Sequence, residues 1–119
     1  MPSKDPVQPL QDILDNINRV ERFLAGKSTL DIAEDERTLF ASQYALLIIS
    51  EAAKRLGDDA EVLCPGQPWR DLRGIGNHLR HAYDNLDAVL IWKVFHEHLP
   101  ALKAAVSAAL ERLPGTEQM

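Results

Sequence analysis

The chain has 119 residues, 45% of them hydrophobic and 26% charged, which is typical of one folded globular domain. Its formal net charge of −5 excludes a protein that coats nucleic acid through general charge. The single cysteine, Cys64, excludes an intramolecular disulfide framework and a zinc site built from several cysteines. A free thiol is typical of proteins in the reducing cytoplasm, which is where we expect this chain.

The first predicted helix follows Asp5-Pro6, which supplies an N-cap and a proline at the first helical position. No apolar region follows residues 1–6, so we expect no signal peptide. Gly26 ends the helix as a left-handed cap, and Ser28 and Asp31 predict a short turn of helix over 28–32. The apolar stripe of the first helix has spacings of three and four and consists of Leu10, Ile13, Leu14, Ile17, Val20 and Leu24.

The second long helix is predicted from Asp35 to Leu56, with Gly57 as its stop. Its longest aliphatic run has five residues (45–49), too few to span a membrane. Glu51 falls within the predicted apolar face, which favours a partly buried carboxylate paired with a cation, such as an arginine of the third helix. That face is predicted to consist of Phe40, Tyr44, Leu47, Ile48, Ala52 and Leu56.

The rest of the chain predicts two more helices after a loop over 57–66. The third runs from Pro68 to Tyr83, and Asn85 caps the fourth, which Pro100 should kink or split. Four main helices with short connections predict an all-α, antiparallel four-helix bundle with a kinked last helix. We expect a single domain over 1–119, with an ordered bundle over about 6–113 and a tail over 114–119. The side of the third helix that should face the core carries Trp69, Leu72, Ile75 and Leu79.

The third helix carries a group of polar residues that could act together on one substrate. Arg73, Asn77, Arg80 and His81 fall within an arc of about 100° and therefore share a face. A cation, a titratable imidazole and an amide together suit a phosphodiester, because the cation holds the charge while the histidine moves a proton. Taken alone, the pattern is more typical of a solvated helix surface.

Four segments together are similar to the HEPN family, in its HepT-like branch of minimal helical bundles, and the likeness covers nearly the whole chain. They are 12–28 in the first helix, 48–56 in the second, Pro68–Leu72 with Gly74, Asn77, His81 and Tyr83 in the third, and Asp87, Ile91-Trp92 and Leu99-Pro100 in the fourth.

The resemblance implies a metal-independent endoribonuclease toxin that needs no cofactor and cleaves RNA as a homodimer, with the catalytic helices facing across a cleft. The family motif is an arginine, usually an asparagine, three residues, a histidine, any residue and a tyrosine. Aligned on His81, the motif places Asn77 at the asparagine and Gly76 at the arginine. His81 is then the acid–base group and Asn77 orients it, while Arg73 or Arg80 is a candidate substitute for the missing arginine.

Tyr83 occupies the motif tyrosine. The resemblance implies a type VII toxin–antitoxin pair, in which an MNT-type nucleotidyltransferase antitoxin adds adenylyl groups to this tyrosine. Added phosphates beside His81 would neutralise the site and exclude RNA.

Two alternatives to the ribonuclease remain open. The first is a catalytically degenerate domain that binds a nucleotide or a protein partner, because Gly76 stands where the motif has arginine. The second is a metal-binding bundle that uses His78 and His81, with His96 and His98 as further candidates. It is the weaker alternative, since His96 and His98 point to opposite sides of a helix and no carboxylate-rich helix pair is present.

Overall fold

The computed structural model describes residues 5–81 and 85–114, and for residues 80, 81, 85 and 86 it describes the backbone alone. Throughout this part of the chain the regular structure is helical and no strand occurs, as predicted. The helices are α1 (Val7–Leu24), α2 (Thr29–Glu34), α3 (Glu36–Leu56), α4 (Asp59–Leu63), α5 (Trp69–His81), α6 (Asn85–Glu97) and α7 (Leu99–Arg112).

The helix ends follow from local capping chemistry, much as predicted. Ser28 and Asp31 form a complete capping box at α2, with hydrogen bonds of 3.1 and 2.9 Å between each side chain and the other residue's backbone N–H. The Asp35 carboxylate accepts a hydrogen bond from the backbone of Arg37 and caps α3. Gly57, with a φ of 54°, ends α3 in a conformation that favours glycine.

The long helices pack as antiparallel neighbours, which confirms the predicted bundle. Asp12, near the start of α1, pairs with Arg55, near the end of α3. Likewise Gly57, just after α3, accepts a hydrogen bond of 2.9 Å from Arg73 in the first half of α5. α3 therefore lies between α1 and α5 and contacts both.

The predicted apolar face of α3 is confirmed for Ala52 and Leu56, which are buried, and wrong for its two aromatic residues. Phe40 and Tyr44 are 59% and 67% exposed, because α1 and α5 pack on other faces of the helix. The faces that they cover include the small residues Ser42, Ala45, Ser50 and Ala53, which allow close approach of neighbouring helices. The prediction gave the large aromatic residues more weight than these small ones.

The prediction that Glu51 pairs with a cation is confirmed, but its predicted burial and arginine partner are wrong. Its side chain is 53% exposed and lies 3.4 Å from the ammonium of Lys54, one turn further along the same helix. Glu51 follows Leu47 and Ile48 on the outward side of α3, and neither described arginine side chain of α5, Arg70 or Arg73, pairs with it.

The second half of the chain differs from expectation in one short segment. The predicted loop over 57–66 contains helix α4. The fourth predicted helix is split as expected, since α6 ends at Glu97 and α7 begins at Leu99 with Pro100 in its first turn.

No described helix is both long and apolar enough to cross a membrane. The single domain over 1–119 stays a prediction, and residues 115–119 of its tail lie outside the described part.

Candidate active site

The orientation of α5 decides which of its side chains can meet a substrate. Its predicted core side is confirmed, because Trp69, Leu72, Ile75 and Leu79 are all buried. The Trp69 indole N–H donates a hydrogen bond of 2.9 Å to the carbonyl of Cys64 and so fixes the start of the helix. The opposite side of α5 therefore faces outward.

Asn77 and His78 are exposed on this outward side. Neither side chain makes a hydrogen bond or ion pair with any residue of the described part of the chain. Asn77 therefore presents to solvent an amide that no described residue engages, as suits a residue that orients a substrate or an imidazole. Position 81 follows Asn77 by four residues and shares its side of the helix.

Arg73, predicted to lie with Asn77, is instead bound to α3 and α4. Its guanidinium donates two hydrogen bonds of 3.1 Å to the Glu61 carboxylate. It also donates to the carbonyls of Gly57, at 2.9 Å, and Ala53, at 3.4 Å. The side chain thus points toward the start of α5, whereas His81 lies eight residues, or about 12 Å, in the other direction.

Glu61 is the partner that the sequence analysis missed. The hydrogen bond from Arg73 lowers the pKa of its carboxyl group below the ordinary value. Glu61 lies in the segment that was predicted to be a loop, so helical spacing gave no reason to place it beside α5. The acidic character of 57–61, opposite an arginine-rich helix, was the available signal.

Gly76 occupies the motif-arginine position and is buried against α3. A Cβ atom there would lie 3.4 Å from the Leu47 side chain and 3.4 Å from the Ser50 hydroxyl. The Ser50 hydroxyl itself donates a hydrogen bond of 2.9 Å to the Arg73 carbonyl. In this arrangement position 76 serves as a close contact between two helices.

The remaining predicted site residues lie at the end of α5. His81 is the last residue of the helix, and the side chains of Arg80 and His81 are outside the described part, as is Tyr83 altogether. The structure therefore brings Arg73 and Asn77 onto one helix without contact between them. Among the side chains that are described, no group of three or more histidine, cysteine, aspartate or glutamate residues has the arrangement of a metal site.

Comparison with known proteins supports the resemblance. The sequence profile of the family described as "Ribonuclease HepT-like" matches residues 13–109. A protein from Thermococcus cleftensis named "Probable ribonuclease HepT" is 37% identical over 94 residues, which cover 79% of this chain and 86% of the relative. A relative from Methanocaldococcus jannaschii that also carries an RNase name is 31% identical over 106 residues, covering 89% of this chain and 97% of the relative. No solved structure matches. The chain belongs to the ribonuclease HepT-like family, a HEPN branch.

Proposed function

We propose that this chain is a metal-independent endoribonuclease that cleaves RNA at the cleft of a homodimer in the cytoplasm. The observation that carries the proposal is the orientation of α5 in a member of the ribonuclease HepT-like family. The helix buries its apolar side and leaves the amide of Asn77 exposed, with no hydrogen bond to any described residue, four residues before His81.

The chemistry needs one group that moves protons and one that holds negative charge. His81 takes the proton of a ribose 2′-hydroxyl, whose oxygen attacks the adjacent phosphorus while the bond to the 5′-oxygen breaks. The leaving oxygen gains a proton, so the products are a 2′,3′-cyclic phosphate and a 5′-hydroxyl. An imidazole suits both transfers, since the reference pKa of histidine lies near neutrality. Asn77 orients the imidazole or the phosphate through its amide.

Of the two candidate substitutes for the motif arginine, we favour Arg80. Arg73 already donates to Glu61 and to two backbone carbonyls, and all of these bonds would have to break before it could turn toward His81. Position 80 follows Gly76 by four residues, so the two share one side of the helix. A long arginine side chain at 80 therefore starts one turn from where the motif arginine would start.

The proposed homodimer is supported by an apolar surface on α3. Phe40, Tyr44, Leu47 and Ile48 form an outward stripe, here called the α3 stripe, of which Phe40 and Tyr44 are more than half exposed. Contiguous exposed apolar surface of this kind marks an interface. The stripe lies on the helix that packs against Gly76, so a second subunit placed on it would lie close to α5.

We further propose regulation at Tyr83 by an MNT-type nucleotidyltransferase antitoxin, as in type VII toxin–antitoxin pairs. Adenylylation would place phosphate charge two residues after His81, where it repels the RNA backbone. Mass spectrometry of the chain after incubation with ATP and such an enzyme tests this point. An adduct on Tyr83 is expected, and none is expected on a Tyr83→Phe variant.

A cleavage assay in the presence of EDTA tests the nuclease. The unmodified chain should cleave single-stranded RNA, and His81→Ala and Arg80→Ala should each lose about 100-fold or more in rate. Arg112→Ala is the matched control, because Arg112 is exposed near the end of α7 and belongs to neither α5 nor α3. Background cleavage by the unmodified chain would overturn the proposal.

The homodimer has its own test. Tyr44→Glu should shift the chain from dimer to monomer in light scattering and abolish cleavage. Val62→Glu on α4, at a residue that is 76% exposed, should do neither. A dimer that persists in Tyr44→Glu would place the interface elsewhere.

A catalytically degenerate domain that binds a nucleotide or protein partner is the second candidate. The specific observation in its favour is that neither position offers a free arginine to the site. Position 76 is a buried glycine, and the Arg73 side chain is bound to Glu61. This candidate expects RNA or nucleotide binding without cleavage, so the same assay, combined with a binding measurement, separates the two.

A further inference from the structure

A groove of about 310 Å³ lies between α5 and α6, and the proposed catalytic chemistry makes no use of it. α5 supplies Arg70 and His78, α6 supplies Lys93, and His98 closes one end at the junction with α7. Among the described residues of the lining, Asp71 is the single carboxylate beside these four basic side chains. The volume is at the lower end of the range for small-ligand sites, so it suits one nucleotide unit.

The basic side chains of this groove are unengaged within the described part of the chain. Arg70, His78, Lys93 and His98 make no side-chain hydrogen bond or ion pair with any described residue. His98 precedes α7 but does not cap it through its ring. By contrast, Lys54, Arg55, Arg73 and Lys103 all pair with carboxylates. In a chain with a net charge of −5, a concave cluster of an arginine, a lysine and two imidazoles that no described carboxylate pairs with favours an anionic ligand.

Gly74 gives an independent indication that the groove is open to a ligand. It lies inside α5, where glycine is less favourable than alanine by about 1 kcal/mol. A Cβ atom added there would meet no atom within 4 Å, so packing does not require the glycine. The missing side chain instead leaves the wall of the groove open and the helix backbone accessible.

The floor of the groove, between its two helices, is apolar. Leu90 and Val94 of α6 lie opposite Ile75 of α5. Cations beside an apolar floor match the two parts of a nucleotide, because the phosphate needs donors and the ribose and base need a surface to lie against. The groove also runs along the helix that carries His81, three residues or about 4.5 Å beyond His78.

We propose that this groove holds one nucleotide of a single-stranded RNA next to the scissile bond. Arg70 and Lys93 bind its phosphate, His78 and His98 add ring N–H donors, and Leu90 and Val94 support the base. The inference rests on the proposed function for the identity of the ligand. The groove thus sets the path of the RNA along α5 toward His81.

The first experiment measures binding of a fluorescein-labelled ten-nucleotide single-stranded RNA by the full chain carrying His81→Ala, which prevents cleavage. Adding Arg70→Gln with Lys93→Gln should raise Kd by about tenfold or more. It should also reduce the slope of log K against log salt by about 0.7, the value for one lost phosphate contact to a single strand. The matched control, Arg22→Gln with Arg37→Gln, removes the same charge from exposed positions outside the groove and should change Kd less than about twofold. An equal effect of the two pairs would overturn the proposal, as would RNA binding too weak to measure.

The second experiment uses Gly74→Ala to separate stability from binding. The substitution should raise Tm by a few degrees, since it restores helix propensity where nothing obstructs a Cβ atom. It should also weaken RNA binding several-fold, because the methyl group narrows the groove. A stabilised variant with unchanged Kd would overturn the proposal.

Cleavage by the chain with His81 intact distinguishes failure of the groove from failure of the nuclease. Groove-dependent RNA binding without cleavage would support the groove and overturn the endoribonuclease. Cleavage whose KM is unchanged by the Arg70 and Lys93 substitutions would support the endoribonuclease and overturn the groove.

Discussion

Arg73 and Glu61 form a bidentate ion pair. Two guanidinium nitrogens donate to the two carboxylate oxygens, and both hydrogen bonds are 3.1 Å long. The same guanidinium donates to the Gly57 carbonyl just beyond the end of α3. One side chain thus joins three segments of the chain: the end of α3, helix α4 and the first half of α5. It also donates to the Ala53 carbonyl, whose partner four residues on, the Gly57 N–H, bonds to Lys54 instead.

Arg73→Ala should lower the free energy of unfolding by about 1–3 kcal/mol, because it removes several charge-assisted hydrogen bonds from a half-buried group. Urea denaturation followed by far-UV circular dichroism measures the change. Arg70→Ala is the control, since Arg70 lies three residues earlier, is exposed and has no described partner; its effect should stay within about 0.5 kcal/mol. Equal losses in the two variants would show that the Arg73 contacts do not stabilise the fold.

Stability should fall in acid, below roughly pH 4. Hydrogen bonds from Arg73, Ser28 and Thr38 lower the pKa values of Glu61, Asp31 and Asp35 in the folded chain. A carboxyl group whose folded pKa is depressed contributes stability that is fully present above its unfolded pKa, about 4. That contribution is lost as the pH falls through the lower, folded pKa.

Urea midpoints at several pH values between 7 and 3 measure this acid dependence. Glu61→Gln should reduce it, because one of the three groups no longer titrates. Glu34→Gln is the control, since Glu34 is exposed and its side chain makes no hydrogen bond or ion pair with any described residue. Identical acid dependence in Glu61→Gln and the unmodified chain would contradict the assignment.

The thiol of Cys64 should react slowly in the folded chain. It is buried, donates to the Ala105 carbonyl at 3.5 Å, and has its pKa raised by desolvation. Since the thiolate is the reactive species, both burial and the raised pKa slow its reaction with Ellman's reagent. Labelling should be slow in buffer and fast in concentrated urea. Equally rapid labelling under both conditions would place the thiol at the surface.

The two glycines of α5 should respond differently to substitution. Gly76→Ala brings a methyl group to 3.4 Å from Leu47 and Ser50, so the gain in helix propensity and the tighter packing nearly cancel, and stability changes by less than about 1 kcal/mol. Gly76→Arg must displace Leu47 and should cost about 1–3 kcal/mol. Urea denaturation of both variants checks this, with Gly74→Ala, which meets no neighbour, as the stabilised reference. A Gly76→Arg variant as stable as the unmodified chain would show that α3 yields easily at this point.

Much of the fold could be predicted because local chemistry specifies it. Capping by Ser28 and Asp35, the stop at Gly57 and the break near Pro100 all depend on residues close in sequence. The outward face of α3 could not be predicted, because large apolar residues occur on more than one of its sides. Which side is buried depends on where α1 and α5 approach, and small residues such as Ala45 and Ser50 decide this.

The candidate site was predictable only to the level of the helix. Helical periodicity placed Asn77 on the outward side of α5, opposite Trp69 and Leu72. It did not place the guanidinium of Arg73, because a long side chain takes the direction of its partners, and Glu61 lies in a different segment. The sequence showed that Gly76 departs from the motif, but only the packing revealed its contact with α3.

Leu47 belongs both to the α3 stripe and to the contact with Gly76. A single side chain therefore separates the outer surface of the bundle from the backbone of α5. A subunit that presses on the stripe would shift Leu47 and, through it, the helix that carries Asn77 and His81. Formation of the homodimer and the alignment of the proposed site would then be linked. Diluting the chain until the dimer dissociates would therefore also disturb the site.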